Sequence, residues 1–135
     1  MMGLEGKSAL VTGAGRGIGE ATARKLASCG ARVLVNDLDA DVAEAVAASI
    51  PGGVAHPADL TNPGAADQVV QAALDAFGGL DIVVNNAGYI WHSAIHNKSD
   101  EQGCHDRYSR HGAVSYSASL RSVASGQCRT RFINT

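Results

Sequence analysis

The feature that most constrains this chain is a glycine-rich loop set between a strand and a helix. Thr12-Gly13-Ala14-Gly15-Arg16-Gly17-Ile18-Gly19 follows the apolar run Ser8-Ala9-Leu10-Val11, which reads as a buried strand. Gly17 to Gly30 then reads as a helix, with Ile18, Ala21 and Leu26 near one face and Glu20, Arg24 and Lys25 largely off it. Gly30 suits its C-terminal stop. Glycines let a backbone come close to a phosphate group, and a helix N-terminus offers it free N–H groups and a partial positive charge. A glycine loop alone is as readily an ordinary turn. Its position between strand and helix is what marks it as nucleotide-binding.

The strand–helix alternation continues. Arg32 to Asn36 reads as a second strand and Asp39 to Ile50 as an Ala-rich helix, ended by Pro51-Gly52-Gly53. Val54-Ala55-His56 is a weak third strand. Asn62-Pro63 places proline in the first turn of a helix whose apolar stripe is Ala66, Val69, Val70, Ala73 and Phe77. Gly78-Gly79 ends that helix, and Leu80 to Val84 reads as a fourth strand. Such βαβ units imply an α/β fold with a parallel sheet. Right-handed crossovers give the N-terminal half of a Rossmann-like, doubly wound sheet with strand order 3-2-1-4.

Asp37 closes the second strand, 18 residues after Gly19. That is the distance expected of the acid that bonds a ribose 2′-OH, and a 2′-phosphate would be repelled there. Asp37 therefore argues for NAD over NADP. The plainer reading is a solvated turn acid, since Asp39 and Asp41 follow. Arg16 pulls the other way, because a base in the loop could meet a 2′-phosphate.

Three motifs now stand in order. Thr12 to Gly19 resembles the TGxxxGxG loop of the short-chain dehydrogenase/reductase family, Asp59-Leu60 its acidic pair near the adenine, and Asn85-Asn86-Ala87-Gly88 its NNAG motif. The resemblance covers residue 3 to about residue 102. It implies that Gly13, Gly17, Ile18 and Gly19 line the pyrophosphate path, that Asp59 and Leu60 contact the adenine, and that Asn86, Ala87 and Gly88 lie along the cofactor. Together with Asp37 and Arg16, read from their positions, these are expected to form an NAD site. It also implies that Thr12 and Asn85 brace the central strands. The implied activity is that of an oxidoreductase passing hydride between NAD and an alcohol or carbonyl, with a small-molecule substrate in a full-length relative.

The resemblance implies a Ser, a Tyr and a Lys for the chemistry, the cation lowering the Tyr pKa. Here the Tyr116 segment has Leu120 where Lys belongs, and Tyr116 lies only 28 residues after Gly88, too close for the intervening helix and serine-bearing strand. No residue is therefore assigned as catalytic, and the chain is expected to be a truncated, incompetent form. The alternative is a nucleotide-binding module with a regulatory or partner-binding tail.

Composition separates the two parts. Residues 1–102 hold 6 Lys+Arg and 12 Asp+Glu, whereas residues 103–135 hold five Arg, one acid (Asp106) and six serines. Residues 1–102 are expected to form the dinucleotide-binding portion and 103–135 an irregular tail that leaves the fourth strand as an uncovered edge. An out-of-frame read of the gene would produce such a break. His92, His96, Cys104 and His105 lack recurring ligand spacing, so no metal is assigned. Cys29, Cys104 and Cys128 suit reduced thiols. The net charge of −2 argues for no nucleic-acid partner, and no apolar run is long enough to span a membrane. Met1 to Lys7 shows no signal pattern, which points to the cytoplasm.

Overall fold

A computed structural model describes residues 3–87 and 131–134. Five strands form one parallel sheet, β1 (Ser8–Val11), β2 (Arg32–Val35), β3 (Gly53–Ala55), β4 (Ile82–Asn85) and β5 (Arg131–Asn134). Three helices connect the first four, α1 (Gly17–Ser28), α2 (Ala40–Ser49) and α3 (Ala65–Phe77). The order is β3-β2-β1-β4-β5, so the 3-2-1-4 arrangement stands and a fifth strand extends it.

The two-residue period of a strand divides the core into two layers. Ala9, Val11, Val33, Val35 and Val84 pack toward Ala23 and Ala27 of α1 and Ala43, Val46 and Ala47 of α2. Leu10, Leu34 and Val83 pack the opposite way, with Val69, Val70 and Ala73 of α3 and with Leu80. Leu10, Leu34 and Leu80 are fully buried, and each such leucine contributes about 1.5–3 kcal/mol. At the far end of the central pair, Ser8 N–H donates to Asp81 Oδ2 (3.0 Å) and Asp81 N–H to the Ser8 carbonyl (3.0 Å). Arg32 donates to the Phe77 carbonyl (3.1 Å) and lies 5.2 Å from that residue's ring centroid, tying β2 to the last turn of α3.

Three sequence expectations change. The buried face of α1 is Gly19, Ala23 and Ala27, and Ile18 is 72% exposed. Small residues four apart let α1 lie close on the sheet, and the docking of Gly19 fixes the phase of the helix. Pro63 precedes α3 instead of sitting in its first turn. Gly64 adopts a left-handed conformation (φ 79°) as the N-cap, and the Ala65 N–H bonds the Asn62 carbonyl (3.2 Å). Strand β4 is not an edge. β5 pairs with it in parallel, Val84 opposite Ile133 and Asn85 opposite Asn134. Arg-Phe-Ile-Asn is too short to reveal itself by periodicity. Residues 88–130, including Tyr116, His92, His96 and Cys104, lie outside the described residues.

Candidate nucleotide-binding site

In a parallel sheet the loops after each strand collect at one end, and a crevice opens where the strand order reverses. Here β2 and β4 flank β1 on opposite sides. A cavity of about 540 Å³ opens at that end. It is lined by Gly13 and Arg16 from the first loop, Asn36 to Asp39 from the second, Ala58 to Thr61 from the third, and Asn86 and Ala87 after β4.

The glycine loop is held from beneath. Thr12 is fully buried, and its Oγ1 accepts from the N–H groups of Asn86 and Ala87, both at 3.1 Å. Asn86 Nδ2 in turn donates to the Gly13 carbonyl (3.2 Å). A Cβ at Gly13 would meet Ala87 Cα at 2.8 Å, and one at Gly19 would overlap the Gly13 carbonyl and the Asn86 amide. These glycines are thus required by close backbone approach. Gly17 opens α1 with φ 62° and open space around it.

The second loop is organised around Asp37. Its Oδ2 accepts from the Gly15 N–H (3.0 Å) and its Oδ1 from the Asp39 N–H (3.1 Å). The carboxylate is therefore fixed at the mouth of the cavity, between the glycine loop and the start of α2. Asp39 caps α2, its Oδ1 accepting from the Asp41 N–H (3.1 Å), while its Oδ2 lies 3.2 Å from Arg16 Nη2. Buried Asn36 donates through Nδ2 to the carbonyls of His56 (3.0 Å) and Ala58 (3.4 Å), which shapes the third loop. There Asp59 Oδ1 accepts from the Thr61 N–H (2.9 Å) and hydroxyl (2.6 Å).

Of the residues singled out in the sequence, Gly13, Arg16, Asp37, Asp59, Leu60, Asn86 and Ala87 come together around this cavity. Gly17, Ile18 and Gly19 form the adjoining first turn of α1, and Gly88 lies outside the described residues. Sequence reasoning gave no binding role to Gly15, Asn36, Leu38, Ala58 and Thr61, and read Asp39 only as a turn acid. A fourth glycine in the loop and the acid two residues after Asp37 were the available signals. Among the described residues no group of His, Cys, Asp and Glu could hold a metal ion, and no helix is long and apolar enough to cross a membrane.

The chain belongs to the short chain dehydrogenase family, whose sequence model matches residues 7–123. The match runs past the composition break at Gln102. The chain is similar to 2,3-dihydro-2,3-dihydroxybenzoate dehydrogenase of Bacillus subtilis, at 40% identity over 104 residues, covering 74% of this chain and 40% of that protein. Its structure resembles a short chain dehydrogenase from Burkholderia cenocepacia in complex with NADP (TM-score 0.78, 38% identity, 87% of this chain and 51% of that one). It also resembles 3-ketoacyl-(acyl-carrier-protein) reductase from Brucella melitensis complexed with NADH (TM-score 0.72, 38% identity, 90% and 50%). The chain thus spans about two-fifths of the curated relative's length and about half that of these solved structures.

Proposed function

We propose that this chain is the dinucleotide-binding half of an oxidoreductase that uses NAD in preference to NADP and acts on an alcohol or carbonyl substrate. The observation that carries the preference is the clamped Asp37 carboxylate at the mouth of the cavity. A carboxylate held there accepts hydrogen bonds from a ribose diol and repels a 2′-phosphate. The likeness to one relative bound to NADP and another bound to NADH supports a nicotinamide dinucleotide without choosing between the forms.

The residues present fit such a cofactor. Where a Cβ at Gly13 or Gly19 would collide, the bare backbone leaves the loop compact beneath a pyrophosphate. Asp37 would hold the adenosine ribose, Asp59 and Leu60 the adenine end, and Asn86 and Ala87 the stretch toward the nicotinamide. The cofactor, once bound, supplies the hydride acceptor or donor. The chain's own part is to bind it and fix its orientation. Substrate turnover is not expected of this chain alone, because Leu120 stands where the proton-transferring Tyr needs a cation beside it.

Titration of the full chain with NADH and NADPH, followed by cofactor fluorescence, tests the assignment. NADH is expected to bind more tightly. Asp37→Ala should weaken it by about 1.5–3 kcal/mol, the worth of a charge-assisted hydrogen bond, with thermal melting as the check on folding. Equal affinity for the two cofactors in the starting chain would refute the role of Asp37. Tight cofactor binding together with protease protection of residues 103–135 would favour a binding module with a partner-binding tail.

A further inference from the structure

Arg16 is the one basic side chain lining the described part of the cavity, and it is already engaged. Its guanidinium reaches from the N-cap of α1 to Asp39 at the N-cap of α2, so the pair bridges the first and second loops. Asp39 has three bonds in different directions. Its backbone N–H holds Asp37, one carboxylate oxygen caps α2, and the other holds Arg16. Two acids and one base therefore meet at the mouth of the cavity, and the base is paired with Asp39 while Asp37 is held by backbone N–H groups. We propose that Asp39 is a specificity-determining residue. By pairing with Arg16, it competes with a 2′-phosphate for the only cation lining the cavity among the described residues, and so adds to the preference against NADP that Asp37 begins. This rests on the nucleotide-binding reading above.

The pair is largely solvent-exposed, with Arg16 at 68% and Asp39 at 49%, so its hold on Arg16 is modest and biases the cofactor preference several-fold without making it absolute. A free Arg16 could make a bidentate contact to a phosphate dianion. The variant Asp39→Asn removes the charge and keeps an amide oxygen to accept from the Asp41 N–H, so α2 stays capped.

The test is the ratio of NADPH to NADH dissociation constants, measured by fluorescence titration at low salt on the full chain. Asp39→Asn should move this ratio toward NADPH by roughly three- to tenfold, and adding Arg16→Gln should cancel the shift. Arg16→Gln alone should weaken NADPH binding no more than NADH binding, because the guanidinium is held by Asp39. This second variant does not depend on altering α2. An unchanged ratio in Asp39→Asn with NADH still bound overturns the role of Asp39 and leaves the nucleotide-binding reading intact. A selective loss of NADPH binding in Arg16→Gln alone overturns it as well, since Arg16 would then already reach the phosphate. Failure of the starting chain to bind either cofactor overturns both.

Discussion

Thr12 shows how one buried hydroxyl can serve an entire site. Its oxygen receives two backbone N–H groups after β4 and lies 3.4 Å from the Val84 carbonyl, to which it donates. Replacing it with valine keeps the shape and strands both donors. Thr12→Val should cost about 1–3 kcal/mol, as buried unsatisfied groups do. Thr12→Ser, which keeps the oxygen, should cost well under half of that. Urea denaturation of the two variants measures the difference, and equal losses would show that packing of the methyl group, not hydrogen bonding, is what matters. The sequence makes Thr12, Gly13 and Asp37 visible because each is the residue type its chemistry demands at a fixed offset from a strand end. Asp39 was hidden for the opposite reason. An acid opening a helix is common, and nothing local reveals that its second oxygen reaches back 23 residues to Arg16.

Among the elements, α1 is the most informative. Its inward face is Gly19, Ala23 and Ala27, which lets the helix backbone lie near the strands and keeps its first turn against the cavity. Ala23 is completely buried. Ala23→Leu should therefore destabilise by about 1–3 kcal/mol through overpacking. It should also weaken cofactor binding, because lifting the helix moves the glycine loop. Thermal melting and titration on the same preparation test both effects, and unaltered binding in a destabilised variant would separate the loop from the helix beneath it. The apolar pattern alone put Ile18, Ala21 and Leu26 inward. Leu26 does pack against the core, but Ile18 and Ala21 are exposed, because the rotation of α1 is set by a distant contact, Gly19 against Gly13 and Asn86, which periodicity does not register. The stripe of α3 was legible because Val69, Val70 and Ala73 meet the sheet with no loop dictating their phase. Strand β5 was illegible because its identity lies in its pairing with β4, not in its four residues.

For the molecule as a whole, the motifs mark the nucleotide-binding part of a short chain dehydrogenase, and the proposed lack of turnover is open to direct assay. Steady-state assays of the full chain with simple alcohols and NAD should show no turnover above background. Leu120→Lys should not restore it, because a lysine alone does not supply the serine and the spacing. Activity in that variant would identify Tyr116 as the proton-transferring base.

The order of the strands in space differs from their order in the chain, and this has a kinetic consequence. β1 precedes β2, β3 and β4 in the chain, yet it lies between β2 and β4 in the sheet. One flank closes early, against β2, whose register begins with Ser8 opposite Arg32. The other flank waits for β4, across the separation of 73 residues between Ser8 and Asp81. Until then Leu10 and Leu34 lack Val83 and Leu80 as neighbours. Closing that long loop comes before the contacts that offset its entropy, the condition that slows folding in parallel sheets. The growing chain thus carries a half-paired, apolar strand until β4 has been made, and the nucleotide crevice takes shape only when β4 joins β1.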